Sequence, residues 1–167
     1  MNVNALSPIA LIKGFLPKLL KQPGGAHIVN VISLAGIFGT PVRSYYSASK
    51  FAIDGFGRAI QGELADKNIT VTQCYPHYVK TNISINALVG EGVPLGKMDD
   101  NIENGISCEE AVTDLCKAIY LKRFWITLGP WHMQVAPRLL CLSEHLTSLV
   151  AQGNLKSQLE AIAKAKK

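Results

Sequence analysis

What the 167-residue chain lacks narrows its chemistry first. No Gly-x-Gly-x-x-Gly or Thr-Gly-x-x-x-Gly-x-Gly run occurs, although 14 glycines are present. Such runs let backbone N–H groups approach a pyrophosphate at a helix N-terminus, so a phosphate cradle of that kind is excluded. Gly36 and Gly39 have the wrong spacing. The four cysteines (Cys74, Cys108, Cys116, Cys141) include no Cys-x-x-Cys and no paired histidine spacing, which argues against a metal site. They are expected to be buried small hydrophobes in a reducing compartment. No run of 18 apolar residues is available to span a membrane, and the first residues do not read as a signal peptide. Aromatics make up only 7%, and no aromatic–basic interleaving suggests a nucleic-acid surface.

What is present describes a globular domain with a real core, 48% hydrophobic and 17% charged. The net charge of +5 gathers at Lys117, Lys122 and Arg123 and in the last residues, Lys156, Lys164, Lys166 and Lys167, where it reads as solvated surface. Leu6, Ile9, Ala10, Ile12, Phe15, Leu16 and Leu19 recur at near-helical spacing and predict a helix over 1–21. Pro17 is expected to kink it or end it early, and Pro23 to Gly25 to stop it.

Residues 27–33 are short, rich in Val and Ile and nearly continuous in apolar character, as in a parallel strand covered on both faces. A second helix is predicted over 45–65, with Phe51, Ile53, Phe56, Ile60 and Leu64 on its apolar side. Gly55, Gly57 and Gly62 weaken a helix, so close packing is their expected reason. Asn68 turns the chain into a second buried strand over 69–75. Ser107 reads as a helix N-cap with Glu109 and Glu110 in the first turn, and 124–128 as a third strand. From Gly129 a mostly helical tail follows (Leu139, Leu140, Leu142, Leu146, Leu149). It reads as core packing or a dimer face, or alternatively as an apolar flap that covers a lipid-like substrate or rests on a membrane surface.

The chemistry concentrates in residues 27–50, HIVNVISLAGIFGTPVRSYYSASK. Tyr46 and Lys50 are four apart, which on a helix stacks one above the other on the same face. A phenol ordinarily titrates near about 10, and a cation within about 4–6 Å favours the phenolate. Lys50 is therefore placed to fit Tyr46 for general acid–base work. Ser33, at the carboxyl end of the strand where open α/β sheets gather ligands, is placed to hold a carbonyl or alkoxide oxygen against it. The trio suits the interconversion of a carbonyl and an alcohol but carries no hydride. A Tyr and a Lys four apart arise by chance at roughly 0.2% of positions, and the pair alone means an exposed helical face. The weight rests on the ordered set: strand, Ser-x-Ala-Gly, 13 residues from Ser33 to Tyr46, then Tyr-x-x-x-Lys.

These residues are similar to the short-chain dehydrogenase/reductase family. The matching stretches are VNVISLAG (Val29 to Gly36), YSASK (Tyr46 to Lys50), FAIDGFGRAIQGELA (Phe51 to Ala65) and PHYVKTN (Pro76 to Asn82). TNISINA (Thr81 to Ala87) resembles the dehydrogenase/reductase branch of members seven and seven-B. The resemblance implies an α/β fold: the C-terminal part of a Rossmann-like doubly wound parallel sheet, about three strands with flanking helices. The N-terminal dinucleotide-binding half would be missing, by biology or through an incomplete gene model, and the first strand left as an open edge. Residues 1–167 would then be one partial domain, the catalytic half, with a substrate lid over 83–105 and the helical tail over 129–167.

The same resemblance implies catalytic roles for Ser33, Tyr46 and Lys50. From Val3-Asn4 it implies one for Asn4 as well, an Asn that taken alone reads as a helix N-cap. The implied cofactor is NADP (or NAD), held by Tyr46, Lys50, Pro76, Val79 and Thr81. His77 stands where the family has glycine, and is expected to be strained if the backbone there needs φ > 0. The implied function is an NAD(P)-dependent oxidoreductase acting on an apolar steroid, retinoid or lipid carbonyl, inactive as this chain alone. The alternative is a non-catalytic product that dimerises with a full-length homologue. Implied partners are a small-molecule substrate and a second copy, through helices 4–21 and 45–65, with peripheral membrane contact. Implied locations are the cytoplasm or the cytosolic face of the endoplasmic reticulum.

Overall fold

A computed structural model describes residues 1–88 and 92–140. Three parallel strands, β1 (Ala26–Val31), β2 (Ile69–Pro76) and β3 (Trp125–Leu128), form a sheet in the order β1-β2-β3. Ala26 lies opposite Ile69 and Val31 opposite Cys74; Gln73 lies opposite Trp125 and Pro76 opposite Leu128. Parallel neighbours need long crossovers. Helix α2 (Ser44–Glu63) supplies the first; α3 (Asp100–Glu103) and α4 (Cys108–Tyr120) supply the second. Helix α1 (Ser7–Leu19) precedes the sheet and α5 (Trp131–Leu140) follows it. This is the α/β architecture expected of a partial doubly wound sheet.

Side chains of β2 alternate between two helical layers, as the two-residue strand period requires. Ile69 and Val71 pack with Ile28 of β1, Ile60 and Leu64 at the end of α2, and Ile12, Leu16 and Leu19 of α1. Tyr75 joins Ile32, Leu34 and Ile53 further along the same face. Cys74 points the other way and packs with Ala111 of α4 and Leu128 of β3. Burying side chains of this size stabilises by about 1.5–3 kcal/mol each. The core therefore lies on both sides of β2, whose interior residues are nearly all buried.

Several expectations need correction. β1 is not covered on both faces: Ile28 and Asn30 are buried, Val29 is half-buried and Val31 is 58% exposed. It is an edge strand, with β2 as its sole neighbour among the described residues. Phe51 is on the outer side of α2 rather than in the core, and Leu6 and Phe15 are likewise exposed. Of the three α2 glycines, Gly57 alone meets a close neighbour; nothing lies within 4 Å of the Cβ positions at Gly55 and Gly62. Cys74 is buried, but Cys108 and Cys116 are exposed free thiols; Cys141 lies outside the described residues.

The first helix begins as a π-helical turn over Asn2–Leu6, and α1 ends at Leu19, two residues past Pro17. Asn4 is inside that turn and so is no N-cap. Ser107 does cap α4, its hydroxyl accepting from the Glu110 N–H at 3.0 Å. The predicted tail is helical over Trp131–Leu140, and the remainder lies outside the described residues.

Candidate active site

Three parallel strands point their carboxyl ends the same way, and the chain leaves each end with a functional stretch. Ser33 lies two residues past β1, His77 to Thr81 follow β2 directly, and Gly129 follows β3. Open α/β sheets bind ligands in the crevice at this edge.

Ser33 has extended backbone (φ 170°) and caps a short 3-10 turn over Leu34–Gly36. Its Oγ accepts from the Ala35 N–H at 3.2 Å, which leaves the hydroxyl proton uncommitted among the described residues. That turn packs on α2. A Cβ at Gly36 would lie 2.9 Å from the Lys50 carbonyl oxygen and 2.8 Å from Ile32, so the approach needs glycine. The loop beyond is also tied down, the Thr40 N–H donating to Ser47 Oγ at 3.0 Å.

On α2 the Lys50 Nζ stands 5.6 Å from the centroid of the Tyr46 ring, within cation–π range. Tyr46 is 37% exposed and opens to solvent, whereas Lys50 is half-buried. Burial pushes the Lys50 ammonium below the ordinary lysine value, and no ion pair answers it among the described residues.

Asn4 reaches this pair indirectly. Its Nδ2 donates to Ser49 Oγ at 3.2 Å, and that hydroxyl donates to the Tyr46 carbonyl at 2.7 Å. Ser49 is thus a member of the site that sequence reasoning missed. Its signal was present in YSASK, because a serine three residues on can back-bond to the carbonyl one turn earlier.

At the exit of β2, the His77 N–H donates to the Leu128 carbonyl at 2.8 Å and the His77 ring meets Tyr78 edge-on at 4.5 Å. His77 is not among the residues of positive φ, so the strain expected from its replacing glycine does not arise. The glycine is instead required opposite: a Cβ at Gly129 would lie 3.0 Å from that of His77. Burial, followed by the nearby His132 charge, lowers the His77 pKa. Val79 bridges to Ile106 and packs against the Cys74, Ala111 and Leu128 cluster. Pro76 ends β2 and Thr81 is half-buried in a bend just beyond.

The structure therefore brings Asn4, Tyr46 and Lys50 together, docks the Ser33 turn on the same helix, and sets Pro76, Val79 and Thr81 on the neighbouring strand exit. No hydrogen bond joins Ser33 to Tyr46, or Thr81 to either, among the described residues. A cleft of about 260 Å³ lies elsewhere, beside β3 and lined by Asp114, Lys117, Arg123, Trp125, Thr127 and Gln134 among others. Among the described residues no cluster of His, Cys, Asp or Glu forms a metal site, and no helix is long and apolar enough to cross a membrane.

The chain is 36% identical over 162 residues to the Anopheles gambiae protein named dehydrogenase/reductase SDR family protein 7-like, which covers 97% of this chain and 50% of that protein. It is 35% identical over 146 residues to rat dehydrogenase/reductase SDR family member 7B, covering 83% of this chain and 45% of that one. The chain thus spans about half the length of the curated relatives it matches.

Among solved structures, a short chain dehydrogenase from Burkholderia cenocepacia J2315 in complex with NADP superposes with a TM-score of 0.68 at 23% identity. That match covers 89% of this chain and 56% of the other. A short chain dehydrogenase/reductase from Burkholderia phymatum in complex with NAD gives 0.69 at 22%, covering 86% and 57%. These likenesses concern the fold. The short chain dehydrogenase family model matches residues 1–90, more than half the chain, and that stretch holds Asn4, Ser33, Tyr46, Lys50, Pro76, Val79 and Thr81. By that match, and in keeping with its parallel sheet, the chain belongs to the short chain dehydrogenase family.

Proposed function

We propose that this chain is the catalytic part of an NAD(P)-dependent oxidoreductase that interconverts a carbonyl and an alcohol. The observation that carries the reading is the Lys50 Nζ held 5.6 Å from the ring of a solvent-accessible Tyr46 at the carboxyl edge of a parallel sheet. Tyr46 exchanges the proton with the substrate oxygen. Lys50 stabilises charge on the phenol and hydrogen-bonds a ribose hydroxyl. Ser33 donates its uncommitted proton to the same substrate oxygen. Asn4 holds the first turn of α2 in place through Ser49, and so supports a proton path leading away from Tyr46.

The residues present fit one end of a dinucleotide. Lys50, Tyr46, Pro76, Val79 and Thr81 suit the nicotinamide and its ribose, whereas the chain holds no glycine-rich cradle for the pyrophosphate. When bound, NADP or NAD supplies the hydride that these side chains lack. The apolar residues Ile83, Leu88 and Val93, all more than half exposed in the 83–105 segment, support a lid over an apolar steroid, retinoid or lipid carbonyl.

The 167-residue chain alone is expected to bind no NADPH in a fluorescence titration, and micromolar binding would contradict that expectation. Joined to the N-terminal half of the Anopheles gambiae relative, it is expected to bind NADPH and reduce apolar carbonyls, with turnover lost on Tyr46→Phe. A chimera that binds NADPH but turns over as well with Tyr46→Phe sinks the reading.

A second reading has its own observation. Val3, Leu6, Leu11 and Phe15 on the first helical segment and Tyr45 and Phe51 on α2 are all exposed. An apolar face of this kind supports pairing with a second copy or a full-length homologue, or peripheral contact with a membrane such as the cytosolic face of the endoplasmic reticulum. Co-purification with a tagged full-length relative, undiminished by Tyr46→Phe, favours it over the catalytic reading.

A further inference from the structure

Beyond Lys50 the same face of α2 continues with Asp54 and Arg58, each four residues on, so Tyr46, Lys50, Asp54 and Arg58 form one stripe. Asp54 is buried and has a cation one turn away in each direction, but one of them holds it. Arg58 Nε donates to Asp54 Oδ2 at 2.8 Å. The Tyr75 hydroxyl donates to Oδ1. Gln73 Nε2 donates to the Asp54 carbonyl at 3.1 Å and reaches Oδ1 at 3.4 Å, while Gln73 Oε1 accepts from Asn30 Nδ2 at 2.7 Å. The guanidinium of Arg58 lies 4.8 Å from the Trp125 ring, which stacks 4.2 Å from Tyr75.

Both Asp54 oxygens are therefore engaged by partners other than Lys50. Residue order favours this outcome. An acid four residues N-terminal to a base complements the helix dipole, and the reverse order of Lys50 and Asp54 does not. Among the described residues, the elements packed most closely on α2 bring no competing carboxylate: the turns over Asn2–Leu6 and Leu34–Gly36 carry no charge, α1 brings Lys13 and Lys18, β1 brings His27, and β2 brings Tyr75, its Cys74 pointing the other way.

We propose that Arg58 and Tyr75 are positioning residues that hold the Asp54 carboxylate off Lys50, so that the Lys50 ammonium faces Tyr46 uncompensated and stays available to a bound hydroxyl. The inference rests on the roles proposed above for Tyr46 and Lys50, but its measurement uses neither cofactor nor substrate. A failure here and a failure of the catalytic reading are thus separable.

The test is an NMR titration of lysine side chains in the 167-residue chain, with the Lys50 signal assigned by Lys50→Arg. In the unaltered chain, burial keeps Lys50 below the ordinary lysine value. Arg58→Gln frees Asp54 Oδ2 and is expected to raise the proton affinity of Lys50 about tenfold, as a newly available carboxylate one turn away does. Arg58→Gln with Asp54→Asn should return Lys50 to its original behaviour, and Arg58→Lys should leave it there. Leu64→Ala, at the C-cap of α2 and off the stripe, reports loss of stability alone and should not move Lys50. A Lys50 signal unmoved by Arg58→Gln in a folded chain overturns the proposal, as does a rise that persists in the double variant. If Arg58→Gln does not fold, Tyr75→Phe removes only the donor to Oδ1, and an unchanged Lys50 there overturns it equally.

Discussion

A buried carboxylate survives only where each oxygen finds a donor, and Asp54 finds them on a neighbouring strand and one turn along its own helix. The same contact changes its partner: burial, and after it the hydrogen bond to Asp54, pushes the Tyr75 phenol well above its ordinary value, so Tyr75 remains a donor. Asp54→Ala takes the acceptor from the buried Tyr75 hydroxyl and from Arg58, while the Gln73 amide keeps the backbone carbonyl of residue 54. It is expected to cost about 2–4 kcal/mol in urea unfolding.

His27 offers a second check at this scale. Thr72 has one hydroxyl proton, which goes to the Arg123 carbonyl at 2.6 Å, so His27 Nε2–H must donate to Thr72 Oγ1 at 2.7 Å. Burial and then the Lys122 charge lower the His27 pKa, and His77 is lowered for a similar reason. A base lowered on folding takes its proton first in the unfolded chain. Its contribution to stability is full above the unfolded histidine value of about 6.5 and is lost as pH falls below it. Thermal melts followed by circular dichroism should therefore give a lower Tm at pH 5 than at pH 7.5, with a smaller gap in His27→Gln.

At the scale of elements, α2 carries three glycines that look equivalent along the chain. A Cβ at Gly57 would meet the Gln73 amide at 2.3 Å, and that amide is itself held by Asn30 and Asp54. Gly57→Ala is expected to destabilise by about 1–3 kcal/mol through overpacking. Gly55→Ala and Gly62→Ala meet open space and should each stabilise by about 0.5–1 kcal/mol through helix propensity. Opposite signs in chemical denaturation are the expected result; like signs would mean that the Gln73 contact does not constrain the helix. Ser107 at the head of α4 was legible from sequence because capping is local. The exposure of Phe51 was not, since which side of α2 faces the sheet depends on the strands it meets.

For the molecule as a whole, the exposed apolar surfaces matter most. Among the described residues β1 has an open edge with Val31 exposed, and α1 contains no fully buried residue. Pairing of copies through the first helical segment and α2, proposed above, predicts that Leu11→Glu with Phe15→Glu shifts the sedimentation coefficient to that of a monomer. Both residues are more than half exposed, so the melting temperature of the folded chain should hardly change. A chain already monomeric at high micromolar concentration removes that face as a self-association site.

Sequence alone determined the alternation of helix and strand, the parallel sheet that follows from it, and the stacking of Tyr46 over Lys50, because hydrophobic period, capping and four-residue spacing are properties of neighbouring residues. The tertiary structure decided the rest: that Asn4 bonds to Ser49, that His77 sits without strain opposite Gly129, and that Asp54 bonds to Arg58 and Tyr75. Each of these depends on at least one partner far along the chain (Ser49 for Asn4, Gly129 for His77, Tyr75 for Asp54), and such partners meet only when the sheet brings its strands and α2 into one packed layer.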